Sequence, residues 1–211
     1  MYLSVLNRKQ KELLKKLGFL KKYGFYLAGG TALALQIGHQ TSLDFDFYTK
    51  KKFNSQKLRE EFDKKFKTIQ EIYIAEDTLG LNVEGIGVSF FRYSYPLIKL
   101  CREIEKVLLA SVEDIAAMKI LAISQRGKKR DFIDIYFLIK EFSLRQIMEF
   151  IKEKYPMFNI YTGLQGLTYF KDADEDPEKR RVKLLERVRW NEIKKFIIKE
   201  VNKFKALGLE K

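Results

Sequence analysis

Two aspartates, Asp44 and Asp46, flank a phenylalanine in a short segment where polar and apolar residues alternate. On an extended strand, this alternation places both carboxylates on one face and turns Leu43, Phe45 and Phe47 toward a core. Carboxylates that share a face repel each other, and a cation between them offsets that cost. Mg²⁺ suits this position because it binds one or two carboxylates together with phosphate oxygens. The segment therefore predicts a strand with a metal site; the simpler interpretation is the exposed side of an amphipathic strand.

A glycine pair precedes the aspartates in the order Ala28-Gly29-Gly30-Thr31, and a stretch rich in alanine and leucine follows it to Ile37. Glycine lets other groups approach the backbone closely, and the first N–H groups of a helix attract anions. We therefore predict that Gly29, Gly30 and Thr31 donate backbone N–H groups to phosphates. An ordinary strand-to-helix turn can have the same residues, so this prediction depends on the aspartates that follow. Together the two segments indicate phosphoryl or nucleotidyl transfer from a nucleotide.

The remaining pattern divides the chain into a mixed first half and a helical second half, with a boundary near residue 105. Alternating segments predict strands at Phe25–Ala28, Ser42–Tyr48, Lys67–Ala75, Gly80–Glu84 and Gly87–Tyr93. Helical periodicity predicts helices at Leu3–Tyr23, Thr31–Ile37, Asn54–Phe66, Ile115–Ile123, Asp131–Glu141, Leu144–Lys154 and Arg180–Leu207. The segment Lys171–Glu178 is predicted to be an acidic loop.

Lys119 lies within the predicted helix Ile115–Ile123, which is apolar on almost every side and therefore typical of a buried helix. A lysine in such a helix must reach the surface or meet an anion. Asp131 and Asp134 are three residues apart and lie on one side of the next helix. They can serve a functional site, or Asp134 can form an ordinary surface pair with Arg130.

These segments resemble the DNA polymerase β-like nucleotidyltransferase superfamily, and more narrowly its AbiEii/AbiGii toxin-type members. The first block reads Gly-Gly-Thr-Ala-Leu-Ala-Leu-Gln-Ile-Gly-His from Gly29 and Ser-Leu-Asp-Phe-Asp-Phe-Tyr from Ser42. The second block reads Asp-Ile-Ala-Ala-Met-Lys from Asp114, Gln-Arg-Gly from Gln125 and Arg-Asp-Phe-Ile-Asp-Ile-Tyr from Arg130. The resemblance implies an α+β fold. An α/β nucleotidyltransferase core with a mixed sheet, at 1–105, would be followed by a helical C-terminal domain, at 106–211, that contributes to the active site.

The resemblance also implies the roles of individual residues. Asp44 and Asp46 would bind Mg²⁺ and, with Lys119 and Asp131, form the catalytic set. The nucleotide would be bound by Gly29, Gly30, Thr31, Lys119 and Arg126.

The chain departs from the superfamily pattern at two positions. Superfamily polymerases often have a third metal carboxylate where this chain has Ser89, and relatives often have arginine where it has Gln40. The site can work with two carboxylates, or another acidic residue can replace the third. The candidate replacements are Glu84, Asp131, Asp172 and Asp174.

The function that the resemblance implies is a Mg²⁺-dependent transfer of a nucleoside monophosphate from an NTP to an acceptor hydroxyl. Such a protein would be the toxin of a toxin–antitoxin or phage-defence system, with tRNA as the acceptor and a cognate antitoxin as a partner. A protein hydroxyl is another acceptor that the same metal chemistry allows. The alternative class is a non-catalytic nucleotide- or partner-binding protein with the same fold, which Ser89 and Gln40 favour.

The charge balance is strongly basic: 41 Lys and Arg residues against 28 Asp and Glu residues give a net charge of +13. Such a chain attracts polyanions, including nucleic acid, although evenly spread surface lysines would give the same total. Cys101 is the single cysteine, so a disulfide framework within the chain is excluded and a reducing compartment is favoured. The sequence contains no apolar run of membrane-spanning length, and we expect a cytoplasmic protein without a membrane partner.

Overall fold

The computed structural model describes residues 1–176 and 183–208. It divides the chain into two compact units, Met1–Ser111 and Val112–Lys211. The first unit contains the sheet, and the second consists of helices in its described part. The predicted α+β fold class, a core with a mixed sheet followed by a helical C-terminal portion, is confirmed.

Within the described residues, the first unit forms a seven-stranded mixed sheet. Its strands are β1 (Tyr26–Ala28), β2 (Phe45–Thr49), β3 (Ile69–Ala75), β4 (Thr78–Val83), β5 (Ile86–Arg92), β6 (Arg102–Ile104) and β7 (Val107–Leu109). Their order across the sheet is β3-β4-β5-β2-β1-β7-β6. β2 runs antiparallel to β1 and parallel to β5, so the aspartate-bearing strand lies in the interior of the sheet. The predicted set lacked the β6–β7 hairpin, because strands of three residues are too short to show alternation.

The first unit also contains α1 (Arg8–Lys16), α2 (Gly29–Ile37) and α3 (Ser55–Asp63). The single helix predicted over Leu3–Tyr23 is wrong, because 3₁₀ segments at Leu3–Val5 and Leu17–Tyr23 flank α1. Asn7 starts α1 with a capping box to Gln10, and this extended residue interrupts the helical backbone.

The core of the first unit lies on one face of the sheet. Phe45 and Phe47 of β2 and Phe90 of β5 are fully buried, as the alternation predicts. Leu43 is 37% exposed, so its predicted place in the core is wrong. The reason is that β2 begins at Phe45, not at Ser42, and Leu43 lies in the preceding irregular segment.

The described helices of the second unit pack around α4. They are α4 (Val112–Arg126), α5 (Lys129–Glu141), α6 (Leu144–Lys154), α7 (Ile160–Thr168), α8 (Lys171–Asp174) and α9 (Trp190–Gly208). α4 contacts α5, α6 and α7, which explains why it is apolar on almost every side. Inside this bundle, Lys154 of α6 and Asp114 of α4 form a fully buried ion pair at 2.6 Å.

Two predictions for the second unit need correction. The last helix begins at Trp190 and not at Arg180, because residues 183–189 are not helical; positions 180–182 lie outside the described residues. The predicted acidic loop at Lys171–Glu178 begins instead with the short helix α8, while positions 177–178 lie outside the described part.

No helix among the described residues is both long and apolar enough to cross a membrane.

Candidate active site

Asp46 occupies the centre of the candidate site in the first unit. In the sheet register it lies opposite Ala28 of β1 on one side and Ser89 of β5 on the other. Side chains of directly paired residues share a face, so Ser89 and Asp46 are neighbours. A Cβ built on Gly29 would lie 3.5 Å from Oδ2 of Asp46, which places the carboxylate against the glycine turn. The structure therefore brings the predicted metal ligand and the predicted phosphate turn together.

Asp44 lies just before β2 and is held beside β5. A Cβ built on Gly87 would lie only 2.5 Å from Oδ1 of Asp44 and 3.0 Å from its Cγ. The carboxylate thus occupies the space that any other residue at position 87 would need. The sequence analysis named Gly87 only as the first residue of a predicted strand, and its role beside Asp44 was missed.

The backbone before β2 is fixed by buried hydrogen bonds. The Thr31 hydroxyl bonds the Ser42 hydroxyl and donates to the carbonyl oxygen of Asp44. From α1, the buried Gln10 amide donates to the carbonyl oxygens of Ser42 and Leu43, at 3.0 and 2.9 Å. The side chain of Thr31 therefore holds the backbone of Asp44 in place. Any contact between Thr31 and a phosphate would be made by its backbone N–H. Gln10 was not predicted, because nothing in its local sequence indicates a partner so distant in the chain.

The glycine turn has the geometry of an anion site. Gly29 has a φ of 69°, in the left-handed region that favours glycine, and it opens α2. Gly29 and Gly30 are partly exposed at this helix N-terminus. N–H groups at such a position have no partner within the helix and favour a phosphate.

Asp44 and Asp46 fit Mg²⁺, which takes one or two carboxylates and completes its coordination with phosphate oxygens and water. Among the described residues, no group of three or more His, Cys, Asp or Glu side chains forms a metal cluster. Two of the candidate replacements for the third carboxylate have other partners. Glu84 contacts Lys16 at 3.5 Å. Asp174 accepts hydrogen bonds from Trp190 and Lys194, at 2.5 and 3.0 Å.

In the second unit, the structure brings Lys119 together with the two aspartates of α5. Lys119 is only 6% exposed, and its Nζ lies 2.8 Å from Oδ1 of Asp131 and 2.5 Å from Oδ2 of Asp134. Arg126 approaches the other oxygen of Asp131, with Nε at 3.1 Å from Oδ2. These four side chains, which we call the α4–α5 charge cluster, balance two positive charges with two negative charges. Lys119 thus meets anions inside the protein: it donates a hydrogen bond to Asp131 and forms an ion pair with Asp134.

The α4–α5 charge cluster shifts the pKa of its members in opposite directions. Burial alone would lower the pKa of Lys119, but the nearby Asp131 and Asp134 raise it to about 12. Burial would raise the pKa of Asp131, but Lys119 and Arg126 hold the pKa of that carboxyl below its ordinary value. Both groups are therefore charged at neutral pH.

We expect the contribution of Asp131 to the free energy of unfolding to decrease as the pH falls below about 3.9, the ordinary pKa of an aspartate. A carboxyl whose pKa is lowered in the folded state stabilises the fold above its unfolded-state pKa, and this stabilisation is lost as the pH falls through the folded-state value. The stability difference between the wild type and Asp131→Asn should therefore shrink with acidification. Urea unfolding at a series of pH values measures it, and a difference that does not change with pH would contradict the expectation.

Solved structures share this fold. JHP933 from Helicobacter pylori aligns with a TM-score of 0.59 at 18% identity, covering 97% of each chain. MenT4, a nucleotidyltransferase toxin from Mycobacterium tuberculosis H37Rv, aligns with a TM-score of 0.57 at 13% identity, covering 91% of this chain and 81% of that chain. At these identities the two alignments show a shared fold.

Sequence comparison gives the particular family. The profile of the family described as "Nucleotidyl transferase AbiEii toxin, Type IV TA system" matches residues 93–207. An uncharacterized protein of Aquifex aeolicus (strain VF5) is 35% identical over 210 residues, covering 94% of this chain and 97% of its own. The chain belongs to the AbiEii family of nucleotidyltransferase toxins. This membership confirms the predicted family and supports an enzyme over the non-catalytic alternative.

Proposed function

We propose that this toxin moves a nucleoside monophosphate from an NTP to a hydroxyl at the acceptor end of tRNA, in a Mg²⁺-dependent reaction that releases pyrophosphate. The observation that carries the proposal is the position of Asp46, between the Gly29 turn and Ser89 on one face of the sheet. Phosphoryl transfer requires positioning and charge stabilisation more than covalent chemistry from the protein. A carboxylate pair beside a row of backbone N–H groups supports both.

In this proposal, each part of the first-unit site has one task. Backbone N–H groups of Gly29, Gly30 and Thr31 donate to the triphosphate, assisted by the dipole of α2. Asp44 and Asp46 would hold Mg²⁺, which would supply charge stabilisation to the phosphates. The Thr31 hydroxyl holds the Asp44 carbonyl, and Gln10 holds the two carbonyls before it, which preserves the spacing of the two carboxylates.

The second unit supports the proposal through the α4–α5 charge cluster. We infer that Lys119 and Arg126 bind nucleotide phosphates and that Asp131 acts in catalysis, the roles that the family resemblance implies. The guanidinium of Arg126 is partly exposed, with 47% of its side-chain surface accessible, so it is the cluster's most accessible donor. Asp131 then has a positioning role, because it orients both cations.

Charge and family support the proposed acceptor and the proposed partner. A net charge of +13 attracts tRNA at long range, and the basic segment at 126–130, where α4 ends and α5 begins, adds local positive charge. Because the family belongs to a toxin–antitoxin system, we propose a cognate antitoxin protein as the partner. We also keep the prediction of a cytoplasmic site of action, where both tRNA and NTPs are available.

The proposal is tested by incubating the protein with each of four α-³²P-labelled NTPs, Mg²⁺, and either total tRNA or cell protein. Label on tRNA with one NTP, abolished by EDTA and by Asp46→Asn, is the expected result. Label on protein alone would overturn the tRNA acceptor while keeping the enzyme class. No label on either acceptor would contradict the proposed reaction.

Gly87→Ala is expected to lower the rate of nucleotidyl transfer by about ten-fold to about 100-fold, because a small displacement of a catalytic group is costly. The added methyl group would push the Asp44 carboxylate from its observed position. The melting temperature should change little, since the displaced atoms belong to the end of a flexible side chain. Initial rates over a range of Mg²⁺ concentrations measure the effect, and a wild-type rate and Mg²⁺ requirement would contradict it.

A further inference from the structure

A row of paired residues leads across the sheet from the candidate site to the edge strand β3. In this row Asp46 of β2 lies opposite Ser89 of β5, Ser89 lies opposite Gly80 of β4, and Gly80 lies opposite Tyr73 of β3. Directly paired residues share a face of the sheet. The side chain of Tyr73 is therefore on the same face as the Asp46 carboxylate.

The Tyr73 ring lies over Gly80. A Cβ built on Gly80 would collide with the ring, approaching its Cδ1 to 2.7 Å. Glycine therefore lets the ring lie close to the β4 backbone, one strand from Ser89. Tyr73 as a residue is 39% exposed, so it remains accessible to a ligand.

A β-bulge in β3 determines which face Tyr73 occupies. Glu71 pairs with Leu81, but the register shifts before Tyr73, which pairs with Gly80 and not with Leu79. Leu79 and Leu81 are fully buried on the core face. Without the extra residue, Tyr73 would pair with Leu79 and point to that face. Bulges commonly re-aim a side chain next to an active site, and this one turns the ring toward the face of Asp46.

The position of the ring indicates which substrate it meets. In an in-line transfer, the leaving pyrophosphate and the attacking oxygen lie on opposite sides of the transferred phosphorus. The glycine turn of Gly29 lies on the β1 side of Asp46, so the triphosphate belongs on that side and the acceptor on the β5 side. Tyr73 lies on the β5 side, and its ring extends to about two strand spacings, roughly 10 Å, from Asp46.

We propose that Tyr73 and Gly80 form a stacking platform for the terminal nucleobase of an RNA acceptor. This inference rests on the proposed function, and it names the subsite that presents the acceptor hydroxyl. A flat, partly exposed aromatic ring suits a base, because every base has a π-face and stacking tolerates different sequences. The terminal ribose, which carries both the base and the hydroxyl, then bridges the platform and the aspartates.

The test measures binding of a short 5′-fluorescein-labelled single-stranded RNA by fluorescence polarisation. A second RNA is identical but lacks the base of its 3′-terminal nucleotide. Tyr73→Ala should weaken binding of the intact RNA by about ten-fold, within the range that base stacking contributes. Tyr73→Phe, which keeps the ring, should bind as the wild type does. The abasic RNA should bind the wild type more weakly, and Tyr73→Ala should weaken it no further.

Two results would overturn the platform: an unchanged affinity of Tyr73→Ala for the intact RNA, or an equal loss of affinity for both RNAs. The mixture contains neither NTP nor Mg²⁺, so the result does not depend on nucleotidyl transfer. Failure of the labelling experiment and failure of the platform are therefore distinguishable. Melting temperatures of both variants show whether the edge strand remains folded.

Discussion

Replacing Asp46 with asparagine is expected to lower the rate of nucleotidyl transfer by about 1,000-fold or more, because a metal ion in such a site contributes several kcal/mol to catalysis. Asparagine has nearly the same shape, so it keeps the contact with the Gly29 turn but removes the charge that would hold Mg²⁺. The fold should not be weakened, since the change also removes repulsion between two neighbouring carboxylates. Initial rates with the labelled NTP, together with the melting temperature, measure both effects.

The matched control is Glu103→Gln, the same kind of charge removal in the same unit. Glu103 lies on β6 and forms an exposed pair with Lys21, and such pairs contribute little to stability. This variant should transfer label at the wild-type rate. A residual rate in Asp46→Asn within ten-fold of the wild type would contradict the assignment of Asp46 as a metal ligand.

The features that the sequence predicts well are those set by local pattern. The alternation in β2 correctly placed Phe45 and Phe47 in the core, because burial on one face imposes a period of two residues. The stop of α2 at Gly38 follows from a left-handed C-cap, with a φ of 70°. Membership in the family was also visible from short motifs, since each motif lies within one local segment.

The features that the sequence does not reveal depend on contacts between distant segments. Gln10 supports Ser42 from 32 positions away in the chain. Gly87 is needed because of Asp44, which belongs to another strand. The bulge that turns Tyr73 toward the Asp46 face is a register shift between two strands, and one strand's sequence does not show it.

The buried charges illustrate the same limit. Helical spacing suggested Arg130 as a partner of Asp134, whereas the contact between Asp134 and Lys119 joins two helices. The expectation that Lys119 must meet an anion was correct because burial of an unpaired charge is costly. The identity of that anion required the packing of α4 against α5.

Lys119→Met is expected to lower the free energy of unfolding by about 3–5 kcal/mol, the cost of removing one partner from a buried ion pair. Methionine fills a similar volume in α4, but Asp131 and Asp134, which are 0% and 1% exposed, lose the cation that both contact. Urea unfolding at neutral pH measures the loss. Lys140→Met is the matched control, because Lys140 forms an exposed pair with Glu186 in the same unit and should cost less than about 1 kcal/mol.

A double variant separates the structural role of Lys119 from its proposed role toward the nucleotide. Lys119→Met combined with Asp134→Asn leaves Asp131 paired with Arg126, so much of the lost stability should return. If Lys119 also binds phosphates, the rate of nucleotidyl transfer should remain low in this stable protein, because a nucleotide contact cannot be restored by neutralising Asp134. If the double variant regains both the stability and the transfer rate of the wild type, that result would contradict a nucleotide contact and leave Lys119 with a structural role alone.

A loss of less than about 1 kcal/mol in the single variant Lys119→Met would show that the α4–α5 charge cluster is not a stabilising feature of the unit.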